Sequence, residues 1–530
     1  MYDLVDFCIL NDLEAMMPII KDLNLNNNPF EHYTAETEPN IADYAVRPPY
    51  LQAISDRASK LSSFILFGDR GAGKSATRVT VYKEIWESLS HSDSTGGKPF
   101  IVNLTDFSDV LAAFKKEKLT ERDIVGIVAF AIIEQMFVWL SSLEEGDRQK
   151  FTDQLSDAER NLVMALLKGF YLSKPELDRE HSTGEALKLL NSAWTTKSIV
   201  WTSQRWDSLS KIFASAISVF AKKQVDDSVD ISGPAESILK SLVGDSPNTP
   251  RAILNKLVDF SKSFGFSGVC VLVDKLDETS ATSSSAESTA KLIHPLLAHI
   301  QLLEVAGFSW ILFLWSNVKS HFDGKHPVRL DKIAHANITW DPENLQKMLD
   351  NRVRFFSSGA LAFQDLFLKK LSAADIFQEL IEISLSSPRE LIKLMDIIFR
   401  EHDARGASGP LDRNTIEIGQ DKYCTETIGS WYAKSPLQQV FRVGKVEFVN
   451  KDVQSVFKIS DQGARVKIRS WEDAGLVKQD GTVPSDVGGK PVYRYVVADA
   501  RVRRIIKNKL DALVGAEIEE AETDGDNPGK

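Results

Sequence analysis

Residues 64–78 read FILFGDRGAGKSATR. Four apolar residues run into a glycine-rich turn that ends in Lys-Ser, and no other stretch limits the fold so tightly. The spacing G-x-x-x-x-G-K-[ST] falls on Gly68, Gly73, Lys74 and Ser75. Gly68, Gly71 and Gly73 let the backbone take positive φ and come close to a ligand. The backbone N–H groups from Asp69, Arg70 and Ala72 through to Ala76 would then point at anionic oxygens, helped by the positive end of the helix that follows. Lys74 would reach the β- and γ-phosphates as a point charge, and the Ser75 hydroxyl would be a Mg²⁺ ligand. Phe64–Phe67 reads as a buried strand and Ala76–Leu89 as a helix, which is the context such a loop requires. The alternative is a glycine-rich turn that holds nothing.

A chain of 530 residues, 43% hydrophobic and 26% charged, has material for two to four domains with a large core. Its net charge of −11 argues against a surface that binds nucleic acid throughout and leaves room for a local basic patch. Cys8, Cys270 and Cys424 lie far apart and form no C-x-x-C pair, so a reducing compartment is expected. No basic segment followed by an apolar one opens the chain, so no secretory signal is expected and a cytoplasmic location is. The most apolar stretch, 124–140, carries Glu134 and Gln135 at its centre and reads as a buried core helix, not a membrane span.

Short apolar runs recur at 64–67, 100–104, 269–274, 310–315 and 336–340. They read as strands buried on both faces, and helical patterns separate them, so a parallel α/β sheet follows. Between the second and third runs the pattern is mostly helical, at 119–137, 157–172, 206–223 and 250–264, with a polar loop near 221–250. That exceeds one crossover helix and reads as an insertion. The division expected is an N-terminal arm 1–60, a P-loop core 61–345 with its insertion at about 115–266, a helical lid 346–410, a small domain 416–512 and an acidic disordered tail 513–530.

The P-loop needs an acidic partner at another strand end, and VCVLVDKLDET supplies it. Asp274 ends the apolar run, where a carboxylate can hold Mg²⁺ through water; Asp277 or Glu278 could orient or deprotonate the attacking water. Three acids after a strand are also what a solvated strand end looks like. The motif D-x-L-D-E after a hydrophobic strand resembles the acidic motif of the STAND, NACHT and KAP branches of the AAA+-like P-loop ATPases. The plain AAA+ motif has Glu directly after the first Asp, where this chain has Lys275, which favours the STAND-like side. The resemblance implies a polar residue at the tip of the fourth strand that senses the γ-phosphate, here Ser316 or Asn317 in WILFLWSN. It also implies a lid arginine at the start of a helix, here Arg389 in SPREL, and a segment packed near adenine, here NPFE…AETE…RPPYL. Arg329, Arg352 and Arg354 are candidates for an arginine finger, with surface or core-edge ion pairs as the alternative.

Residues 435–497 read as three helices, a Gly/Pro turn and a hairpin, the winged-helix arrangement. Ile468, Trp471 and Leu476 would be the core face of its recognition-type helix and following strand. Between 440 and 510 fifteen Lys/Arg face eight acids, an excess of seven in an acidic chain. Arg465, Lys467 and Arg469 with a wing at Lys490 and Arg494 suit phosphate contacts on DNA. In STAND-like ATPases such a domain instead often packs on the nucleotide domain.

These readings converge on an ATP- and Mg²⁺-binding, ATP-hydrolysing switch of α/β class: a P-loop NTPase parallel sheet with a large helical insertion, a helical lid and a C-terminal winged-helix domain. Three uses compete: a homo-oligomerising antiviral defence ATPase with a separate effector protein, an initiator-like ATPase acting on DNA through the winged helix, and a non-hydrolysing nucleotide-gated scaffold.

Overall fold

The computed structural model describes residues 18–38, 40–89, 97–143, 145–174, 233–243, 246–283, 285–484 and 491–514. The helical pattern at 206–223, Cys8, Lys490 and the acidic tail from 515 lie outside them. The chain divides into two compact units, one of residues 34–339 and one of residues 1–33 with 340–530.

The 34–339 unit is built on five strands: β1 (Phe64–Gly68), β2 (Phe100–Leu104), β3 (Val269–Val273), β4 (Phe308–Trp315) and β5 (His335–Asn337). Their order is β2-β3-β4-β1-β5 and every pair is parallel. All residues of β1, β2 and β3 are buried, which is why these segments read as unbroken apolar runs and not as alternation. β5 is a partly exposed edge strand and stops at Asn337, short of the run to Trp340. Because the strands are parallel, the carboxyl ends of β1, β3 and β4 open onto one edge of the sheet.

The insertion starts with helix Glu121–Ser142, capped by a reciprocal Thr120–Asp123 box. It is long and apolar enough to cross a membrane, but 89% of its most apolar window is buried inside the protein, as the core reading expects. Gln135, polar in mid-helix, has a defined task. β2 is an edge strand, and Gln135 accepts from the Asn103 N–H at 3.0 Å and donates to its C=O at 2.8 Å. Helix Asp157–Leu166 continues into a π-turn at Leu167–Tyr171. One expectation fails. Within the loop expected near 221–250, Gly233–Val243 is a helix. Ala235 and Leu242, seven residues apart, are both buried, and the polar residues between them face outward.

The second unit contains helices Pro342–Phe356, Ala373–Ile383, Pro388–Ala404 and Arg413–Ile428. Residues 18–33 are tied to these helices. Ile19 N–H donates to Asp403 at 2.9 Å, Asn28 donates to buried Asp396 at 2.9 Å, and the Phe30 ring meets Phe399 edge-on at 5.1 Å. The winged helix follows, with helices Lys434–Val443, Asn450–Phe457 and Asp461–Asp473. Its three-stranded sheet runs β6 (Glu447–Val449), β8 (Val492–Val497), β7 (Val477–Val483), and helix Ala500–Asn508 closes it. Ile468, Trp471 and Leu476 are all buried at its centre.

Candidate functional site

β1 delivers the chain to Gly68, which is in register with Trp315 of β4. The loop then turns through Gly71 (φ 78°) and Gly73 (φ 91°), conformations that cost a residue with a Cβ dearly. Helix Lys74–Leu89 starts directly afterwards, so its first-turn N–H groups have no helical acceptor and face the loop. Lys74 folds back over the loop, its Nζ donating to the carbonyls of Gly68 (3.0 Å) and Asp69 (3.2 Å). An ammonium held over a ring of N–H groups is arranged to meet phosphate oxygens.

The acids enter from β3, separated from β1 by β4. Two strand spacings are about 10 Å, room for a phosphate and a hydrated cation. Asp274 is buried. Its Oδ1 accepts from Lys275 N–H at 2.9 Å and its Oδ2 from Arg78 Nε at 3.1 Å. Arg78, also buried, further donates to Asn103 Oδ1 (2.8 Å) and Glu36 Oε1 (2.8 Å), and Lys275 Nζ reaches the same Glu36 oxygen at 3.1 Å. Burial works against charge on Glu36, but Arg78 and Lys275 outweigh it and hold the carboxyl below its ordinary range. Lys275 has φ 65°, so the chain turns sharply after Asp274. The turn returns Asp277 to the P-loop, where Arg70 Nε meets its Oδ2 at 3.2 Å and Arg70 Nη2 donates to its carbonyl at 3.0 Å. The Arg70 guanidinium also lies 4.6 Å from the centre of the Trp315 ring. Glu278 is exposed; crowding by surrounding atoms and the carboxylates of Asp274, Asp277 and Glu36 push its pKa up against the pull of Lys275.

Ser316 and Asn317 open a 3₁₀ turn at the tip of β4, one step beyond the Gly68–Trp315 pair; Ser316 is half-buried and Asn317 exposed. The parallel sheet therefore gathers Gly68–Ala76, Asp274, Asp277, Glu278 and Ser316 on one edge. Arg389 belongs to the other unit, at the second position of helix Pro388–Ala404. Among the finger candidates, Arg352 is buried and donates to the Pro29 carbonyl at 2.6 Å, so it holds its own unit together and cannot reach a neighbouring subunit. Arg329 grips Asp331 through two bonds of 2.8 and 2.7 Å, and Arg354 is exposed.

The residues suit a bound magnesium ion. Among the described residues no cluster of His, Cys, Asp or Glu could hold a metal by itself. A magnesium ion here would therefore take most of its ligands from phosphate and water, as it does when a substrate brings it. The Ser75 hydroxyl makes no hydrogen bond among the described residues, and Asp274 keeps lone pairs for a water.

Sequence reasoning missed Arg78 and Asn103, and it met Glu36 only as part of the AETE segment expected near adenine. The trace of Arg78 in the sequence is that it stands one helical turn after Lys74, and an arginine there reads as a solvated side chain.

In the winged helix the five basic candidates fare differently. Arg465 pairs with Asp461 at 2.9 Å, and Arg494 with Asp480 at 2.7 Å and Glu447 at 3.6 Å. Lys467 turns inward to Gln439 at 3.2 Å and over the Phe457 ring. Lys490 lies outside the described residues. Arg469 is exposed and has no hydrogen bond or ion pair among the described residues.

The carboxyl-edge loop and strand order define a P-loop NTPase sheet, carried in one chain with a winged helix. No family model matches the chain, and no curated protein does. Solved structures similar to it include the Aeropyrum pernix ORC2 protein in ADPNP–ADP complexes, at 11% identity and TM-score 0.38, covering 91% of this chain and 98% of that one. Another is the Aeropyrum pernix ORC1 protein in complex with DNA, at 11% identity and TM-score 0.34, covering 90% and 97%. A third is Cdc6p from Pyrobaculum aerophilum, at 10% identity and TM-score 0.32, covering 90% and 95%. At these values the similarity transfers no residue role to this chain.

Proposed function

We propose that the chain binds ATP with Mg²⁺ at the carboxyl edge of its parallel sheet and hydrolyses it, so that the nucleotide state acts as a switch. The observation that carries this is the convergence of Lys74 and Ser75 with Asp274 and Glu278 on one edge, brought there by two strands and the turns that follow them. The P-loop N–H groups and Lys74 would hold the phosphates, Ser75 and Asp274 the cation, and Ser316 or Asn317 would stand at the γ-phosphate. Mg²⁺, when bound, would neutralise charge on the transferring phosphoryl group. Arg329 or Arg354 would serve a neighbour in a nucleotide-assembled homo-oligomer. The test is titration with a fluorescent ATP analogue and phosphate release by wild type and Lys74→Ala. Binding weakened about 10- to 100-fold and release lost in the variant support the reading; wild type without affinity refutes it.

For the use of the switch, the exposed and internally unpaired Arg469 on helix Asp461–Asp473, with exposed Lys478 on the adjoining strand, favours an initiator-like ATPase that touches DNA through the winged helix. Arg469→Glu with Lys478→Glu should weaken duplex binding and lower its salt slope by about 2, close to one per lost phosphate contact. Unchanged binding removes this reading. Nothing among the described residues speaks for antiviral defence or a separate effector protein.

A further inference from the structure

The two acids after Asp274 are neighbours in sequence and opposites in circumstance. Asp277 is buried, and Arg70, itself part of the P-loop, holds it at two points: its carboxylate and its backbone carbonyl. Arg70 is in turn set by the Trp315 face at the tip of β4. Glu278 is exposed, and its carboxylate accepts no hydrogen bond among the described residues. Building on the hydrolytic reading above, we propose that Arg70 is a positioning residue: it withdraws Asp277 from the attacking water and leaves Glu278 to activate it. In that step the water oxygen bonds to the γ-phosphorus. The bond from that phosphorus to the β–γ bridging oxygen breaks, its electron pair leaves with the diphosphate, and Glu278 takes the water's proton. The Trp315 contact gives the arrangement a second consequence. Arg70 joins the P-loop to the ends of both β3 and β4, so any movement of the loop on phosphate is passed to the acid and to Ser316 together.

The test uses the full chain and four variants, Arg70→Ala, Asp277→Asn, Glu278→Gln and the double variant Arg70→Ala/Glu278→Gln. Single-turnover hydrolysis and fluorescent-ATP affinity are measured for each. Glu278→Gln should slow turnover about 100-fold or more, the usual weight of a general base, with affinity within about threefold of wild type. Asp277→Asn should cost about 10-fold or less. The double variant is decisive. Once Arg70 is gone, Asp277 is free to substitute, and turnover should recover about 10-fold over Glu278→Gln alone. A merely structural Arg70–Asp277 pair gives no such recovery, and a double variant no faster than Glu278→Gln overturns the proposal. So does Asp277→Asn abolishing turnover while Glu278→Gln spares it. The nucleotide-free thermal midpoint is read alongside, with Arg70→Ala/Asp277→Asn added, and should show Arg70→Ala and Asp277→Asn to be non-additive; additive shifts also overturn it. If wild type binds the analogue but hydrolyses no faster than Lys74→Ala, the hydrolytic reading itself falls and takes the base assignment with it. The Arg70–Asp277 coupling would still be visible in the nucleotide-free midpoints.

Discussion

Replacing Arg78 with methionine should be among the most damaging single changes to the 34–339 unit. Arg78 and Asp274 form an ion pair in which each side chain is 2% exposed, and Arg78 also satisfies Asn103 and Glu36. Methionine keeps much of the volume and removes the charge. Asp274 is then left buried with only its own Lys275 N–H, and Asn103, whose amide nitrogen already lacks a partner, loses the donor to its oxygen. Removing one member of a buried pair costs about 3–5 kcal/mol, most of it the stranded charge. At roughly 2–3 °C per kcal/mol for a unit this large, the calorimetric transition of the 34–339 unit should fall by about 6–15 °C. The control is Arg78→Met/Asp274→Asn. If the stranded charge is the cause, the second substitution should restore about half of the loss or more, because an unpaired pair of neutral side chains lacks the ion's desolvation cost. A loss under about 1 kcal/mol in the single variant, or a double variant less stable than the single, refutes the reasoning.

Lys74→Ala should weaken triphosphate binding about 10- to 100-fold by fluorescence titration, the worth of a charge-assisted phosphate contact, and should abolish any ATP-dependent oligomer seen by mass photometry. Glu36 titrates below its ordinary range in the folded chain, so the unfolded chain binds the extra proton. Its stabilisation is present above about pH 4.5 and lost as pH falls through the lower folded value. Wild type should therefore lose more stability than Glu36→Gln between about pH 5 and 3 in urea titrations; parallel curves contradict this. Gly419 faces Ile398 across two packed helices, and an added Cβ would stand 2.9 Å from the Ile398 Cα. Gly419→Ala should cost about 1–3 kcal/mol in the second unit's transition, because backbone cannot step aside as a side-chain end can.

Much of the sheet's carboxyl edge was legible because each part is a local pattern. Glycine spacing sets the P-loop, unbroken apolar runs set the buried strands, and an acid after such a run marks a strand end. The winged-helix core was legible for a like reason: Ile468 and Trp471 repeat at helical spacing, and Leu476 follows at the turn into β7. The helix at Gly233–Val243 was not, since a short helix with few apolar residues resembles a polar loop until something packs on it. Nor was the fate of the basic residues: a count of charges gives an excess of seven, but Arg465, Arg494, Arg503 and Arg504 are each held by an acid.

By itself, then, the sequence determined which residues could bind phosphate and which strands would be buried, because both follow from spacing along the chain. Only the tertiary structure decided how the charges are partnered. Arg78 meets Asp274 from a helix 196 residues away in the chain, and Arg70 meets Asp277 across 207. Which acid is held and which is left open depends on distances of a few ångströms between strand ends, and sheet order sets those distances, not sequence separation.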